Sequence, residues 1–202
     1  MGTDNTTFTD HVAQALRRAA TEIEELRVQA SLGKAEAKEK YEEIKKKFNS
    51  YVHEAKSQVN EGMDKYDDIR QKMDELKVQL ALGKAEGYEA FQEQKKKILA
   101  SLKELEDNIR TNPTVNRVYA ILLIEIEKFK VQLEWLEEKL KEGGEKAADT
   151  FEKQKEEFNK LIQRIADKFS KDEDEEDKSR WDHFQNEVSA AFSHLKSAVK
   201  KP

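Results

Sequence analysis

The sequence predicts an all-α protein: an elongated antiparallel three-helix coiled-coil bundle with a short C-terminal amphipathic fourth helix. Three observations predict it. The 202 residues are 39% charged and 37% hydrophobic, with two prolines and seven glycines, the balance of long helices that each bury a single apolar stripe. Apolar residues recur at alternating spacings of three and four. One segment occurs three times.

The repeat first reads Leu26-Arg-Val-Gln-Ala-Ser-Leu-Gly33-Lys-Ala-Glu-Ala37, continuing to Tyr41 and Lys45-Lys-Lys47. It returns as Leu76-Lys-Val-Gln-Leu-Ala-Leu-Gly83-Lys-Ala-Glu-Gly87, continuing to Phe91 and Lys95-Lys-Lys97. A diverged third copy starts at Phe129-Lys-Val-Gln132 and resumes at Gly143, Ala147 and Phe151, with an offset from the second copy of 53 residues before the insertion and 60 after it. Self-similarity at this period means one helical unit used three times. The seven inserted residues are almost two helical turns, so the apolar face keeps its phase.

Residues 1–9, polar and without an apolar stripe, read as a disordered N-terminus that lacks the apolar core of a signal peptide. Gly2 and Thr6 match a myristoylation pattern only in part and are read as ordinary residues. The bundle itself is expected over 10–169. Its first helix runs from Asp10 to Val59 and its second from Met63 to Ile109, with a turn at Asn60-Glu61-Gly62 between them. A third, from Thr114 to Phe169, follows the stronger turn at Asn112-Pro113, because proline suits a first helical turn and opposes helix in the residue before it. At 1.5 Å per residue each helix is roughly 70–85 Å long. The run Asp172-Glu-Asp-Glu-Glu-Asp177 makes 170–180 an acidic linker, since six like charges repel and stay solvated. The amphipathic helix occupies 181–202.

The glycines fall on the apolar seam. Gly33 and Ala37, Gly83 and Gly87, and Gly143 and Ala147 each precede an aromatic by one turn: Tyr41, Phe91 and Phe151. A fold about Asn60 sets position 33 opposite 87 and 37 opposite 83. These nine residues are therefore expected to form a waist where small side chains let helices approach closely. The competing reading is that each glycine breaks its helix, because glycine costs roughly 1 kcal/mol against alanine in a helix interior.

Chemistry is not signalled. There is no cysteine, hence no disulfide, thiolate nucleophile or cysteine-bound metal. None of His11, His53, His183 and His194 stands in a Glu-x-x-His or His-Glu-x-x-His pattern, and no phosphate loop or nucleophile elbow occurs. No catalytic, cofactor or metal residue is expected. The net charge of −5 with both signs interspersed excludes the basic face of a nucleic-acid binder. The lysine triplets at 45–47 and 95–97 read as solvated helix faces with acidic neighbours one turn away. Gln94 and Gln154 take seam positions where the first copy has Ile44, as register-setting polar residues do.

Two segments suggest partners. Val118 to Ile126, with Ile121, Leu122 and Ile124, is apolar almost all round and must be covered on several sides. Trp181, Phe184, Val188, Phe192 and Leu195 stripe the last helix, which starts acidic and ends basic. That helix is expected to dock on its own bundle, to exchange with a second subunit, or to lie on a membrane surface.

Lys77 to Glu86, followed by the aromatic-x-x-Gln-Lys-Lys element at 91–96, resembles bacterial coiled-coil proteins described as stress-response proteins, and Trp181 to Lys196 is similar to the tail of related small coiled-coil proteins. The resemblance covers most of 26–196 and supplies no catalytic residues to carry over; the seam repeat and the missing chemistry point to a non-enzymatic protein. The expectation is a cytoplasmic, self-associating structural or interaction protein, a homodimer or higher, and no nucleic acid. The alternative is a lipid-surface protein of apolipoprotein-like type.

Overall fold

The computed structural model describes residues 3–28, 33–59, 66–111, 117–141, 184 and 186–193; the side chains of 3–9, 27, 28 and 117 lie outside it. Among these residues the chain forms helices and no strands, an all-α bundle. Five helices are bounded: α1 (Thr3–Val28), α2 (Lys34–Gln58), α3 (Asp67–Leu80), α4 (Tyr88–Thr111) and α5 (Arg117–Leu140). Residues 186–193 are helical as well.

Two of the three long helices expected from the sequence are interrupted, and of the third, expected over 114–169, the described part is helical over Arg117–Leu140. The first is interrupted at Gly33, which is non-helical (φ −70°, ψ 170°) and caps α2. The second is interrupted across 81–87. The first two copies of the repeat therefore fold as helix, glycine-containing break, helix. The break is set one turn later in the second copy. Gly33 accepts the first bond of α2 from the Ala37 N–H (2.9 Å), whereas Gly87 accepts the first bond of α4 from the Phe91 N–H (2.9 Å). In the alignment of the copies Gly87 matches Ala37. Alanine propagates a helix where glycine disfavours it, so α2 extends one turn further back than α4. At the start of α2 the Glu36 carboxylate accepts from the Gly33 N–H (2.6 Å), one half of a capping box.

The N-terminal helix begins at Thr3, which corrects the disordered 1–9 for residues 3–9. Extending a helix already nucleated costs far less than starting one.

Three of the other helices, α1, α2 and α4, pack against α5. The helices from α2 to α5 each lie against the next in sequence, α2 also lies against α5, and α1 lies along α5 from outside that ring. Pairings of Lys77 with His53 and of Lys56 with Asp74 run α2 and α3 antiparallel. Lys72 bonds Glu104 (2.8 Å) between α3 and α4, and Lys95 with Glu134 and Lys130 with Glu106 run α4 antiparallel to α5. The core is one cluster. Phe48 of α2 stacks on Phe129 of α5 (centroids 4.3 Å, 9° between planes), and Tyr66 meets Tyr119 edge-on (6.0 Å). Tyr119, Leu122, Ile124, Ile126, Phe129 and Leu133 are completely buried, so the helix expected to need cover on several sides is covered by its own chain.

Gly143, Ala147, Phe151, Gln154, the acidic linker 170–180, Trp181 and Leu195 lie outside the described residues.

Candidate functional site

The repeat brings its own signature residues to one place, the joint between the first and second copies. Ala37, Tyr41 and Phe91 are buried, and the Tyr41 ring meets Phe91 edge-on across the bundle at 4.9 Å. The Tyr41 hydroxyl donates to the Gln94 carbonyl oxygen (3.0 Å), and Gln94 in turn donates its amide N–H to the Gly83 carbonyl. Burial, helped by the Glu42 charge, pushes the Tyr41 hydroxyl well above its usual titration range. Lys45 donates to the Leu82 carbonyl (2.9 Å) and to Glu42 (3.1 Å), while Lys38 reaches the Glu86 carbonyl. The turn after α3 is thus gripped by three side chains, two from α2 and one from α4.

The glycines take no part in close packing. A Cβ at Gly83 or Gly87 would meet no atom within 4 Å, and one at Gly33 only the Glu36 carboxylate at 3.6 Å. Gly33 and Gly83 are exposed. The waist of small residues is therefore corrected: the aromatic and small apolar members, Ala37, Tyr41 and Phe91, pack, whereas Gly33, Gly83 and Gly87 lie in breaks. Glycine's low helix propensity prevails over its use as a small seam residue.

The lysine triplets need a second correction. Lys45 and Lys95 are 3% and 7% exposed, whereas Lys46, Lys47, Lys96 and Lys97 are exposed. The first lysine of each triplet is a buried joint residue. Its signal was present: both stand four residues after the repeat's aromatic. In the second copy Lys95 contacts Glu134 (3.1 Å) and Glu137 of α5, so each buried lysine reaches the C-terminal end of the next copy's first helix.

Sequence reasoning also missed the charges on α5. Three clusters set one lysine against two carboxylates. Lys128 pairs with Glu22 of α1 (2.8 Å) and with Glu125. Lys130 pairs with Glu106 of α4 (2.6 Å) and with Glu127 (3.3 Å). Lys95 pairs with Glu134 and Glu137. Burial opposes ionisation of Glu137, but hydrogen bonds from Lys95 and Gln92 and the charges of Lys95 and Lys141 outweigh it and hold that carboxyl at about 2.

Most of the described partner-interface candidates are covered within the chain. Leu122, Ile124, Phe184, Val188 and Phe192 are buried and Ile121 half-buried. A groove of about 480 Å³ lies between α1 and α2, floored by α5. Its apolar side chains Leu26, Ile44 and Phe48 are already buried. Of its charges, Lys47 pairs with Glu43 (2.8 Å) and Lys128 with Glu22.

No helix among the described residues is long and apolar enough to cross a membrane, and they contain no cluster of metal-ligating side chains. Comparison with protein-family models, curated proteins and solved structures returned no match.

Proposed function

We propose that the chain is a non-enzymatic structural or protein-interaction protein that associates with itself or with another protein, in keeping with the stress-related resemblance. One observation carries this reading. The most distinctive residues of the repeat, Tyr41, Lys45, Phe91, Gln94 and Lys95, are all engaged in joining one copy to the next. Substrate-binding residues converge on a cavity and leave polar atoms free for a ligand; the polar groups of these are bonded within the fold. Repeated units that spend their signature on mutual packing are what extendable helical scaffolds use.

Light scattering of the purified chain at tens of micromolar tests self-association. The expected mass is at least twice the 23.5 kDa of one chain. A single-chain mass would remove self-association from the proposal.

A second reading, binding to a lipid surface, is favoured by α1. It packs chiefly on α5 and buries an apolar stripe of Val12, Leu16, Ala19, Ile23 and Leu26, which swinging outward would offer to an interface. Flotation with anionic liposomes at low salt separates the two; no bound protein removes this reading.

A further inference from the structure

We infer that Glu106 and Glu127 share a proton in the α4–α5 joint, making the strength of that joint respond to pH. The Lys130 ammonium lies 2.6 Å from both oxygens of Glu106 and 3.3 Å from Glu127. The three side chains are only 16%, 9% and 13% exposed. Fully ionised, the cluster holds one uncompensated negative charge away from water, which is costly; a proton shared by the two carboxylates removes it.

The other two clusters escape this imbalance. Glu137 receives the Gln92 amide (3.0 Å) and has a second cation, Lys141, at 3.6 Å. In the Lys128 cluster the Glu22 side chain is 36% exposed, so water carries part of its charge. Around Glu127, α4 contributes Glu106, with Lys103 and Arg110 exposed one turn to either side. From α1 and α2, Glu22 reaches Lys128 and Tyr51 lies beside Glu125, on the opposite face of α5 by helical geometry. Burial, reinforced by the Glu106 charge and a hydrogen bond with it, pushes the Glu127 carboxyl up to about 7 against the pull of Lys130.

The sign follows from linkage. A carboxyl whose folded value is raised contributes stability that is complete below its unfolded value and is lost as pH rises through the folded one. The joint is therefore tight at mildly acidic pH and weakens towards pH 7, where one negative charge is left buried.

Carbon-13 detection of the glutamate carboxyls in the full chain tests this across pH 4–9. One carboxyl is expected to titrate near pH 7 and to vanish in Glu127→Gln, which mimics the protonated acid and keeps the fold. In Glu106→Gln the Glu127 midpoint should fall by at least one pH unit, because the competing charge is gone and Lys130 remains. The urea midpoint of the unaltered chain should drop between pH 5 and 8, and Glu127→Gln should abolish most of that drop. Titration of every glutamate below pH 5.5, or an unchanged Glu127 midpoint in Glu106→Gln, overturns the shared proton.

Discussion

A lysine one turn beyond an aromatic does different work in the two described copies of the repeat. Lys45 bonds a backbone carbonyl and one partly exposed glutamate, whereas Lys95 neutralises Glu134 and Glu137, the former 5% exposed at its side chain. Removing a hydrogen bond costs about 0.5–1.5 kcal/mol, while stranding a buried charge costs about 3–5 kcal/mol. Lys95→Met is therefore expected to lower stability by about 3 kcal/mol or more and Lys45→Met by about 1–2 kcal/mol, measured as urea midpoints at pH 7. Equal losses would show that the α5 carboxylates do not depend on Lys95. Gly83 supplies a second residue-scale prediction. It lies in an open turn with room for a Cβ, so Gly83→Ala should leave stability unchanged or raise it by about 0.4–1 kcal/mol through a stiffer unfolded chain. A loss of 2 kcal/mol would restore the close-packed role.

At the scale of elements, α5 is the hub and each neighbour is fastened to it differently. An ion pair from Glu22 holds α1, the Phe48–Phe129 stack holds α2, and two ion clusters hold α4. The diagonal between α2 and α4 rests on Tyr41 and Phe91. A double-mutant cycle with Tyr41→Ala and Phe91→Ala should return a coupling of about 0.5–1.5 kcal/mol beyond the single losses, the worth of an edge-to-face pair. Additive losses would mean that the rings act only by filling volume. The same hub explains the buried lysines and glutamates of α5: a helix surrounded on several sides has no solvated face on which to place them, so they pair.

For the whole molecule, the titrations set a stability profile with its maximum in the mildly acidic range. Glu137, held at about 2, stabilises the fold above the ordinary carboxyl range, and that contribution is lost as pH falls through 2. Glu43 and Glu75 are lowered by hydrogen bonds from lysines and add to this acid limb. Glu127, raised to about 7, weakens the fold between about 4.5 and 7. Thermal unfolding from pH 3 to 8 should therefore peak near pH 5. A plateau from 5 to 8 would mean that the neutral-side limb is absent.

The sequence by itself determined that the protein is helical, where its repeat lies and which apolar positions are buried. Ile44, Phe48, Val52, Met73, Leu76, Ile98, Leu102 and Leu105 recur within their segments at spacings of three and four and are core residues, because a three-four period is a property of one helix and needs no neighbour to be seen. It could not decide whether Gly33 and Gly83 continue a helix or end it. The roughly 1 kcal/mol that glycine costs tips the local balance towards a break, and at 81–87 the packing of α3 on α4, which requires the chain to reverse there, acts in the same direction. Nor could it place Lys45, Lys95, Glu106 or Glu127. A charged residue looks the same in sequence whether it faces water or a partner. Only the arrangement of helices around α5 brought those charges together and turned surface-like residues into the joints of the fold.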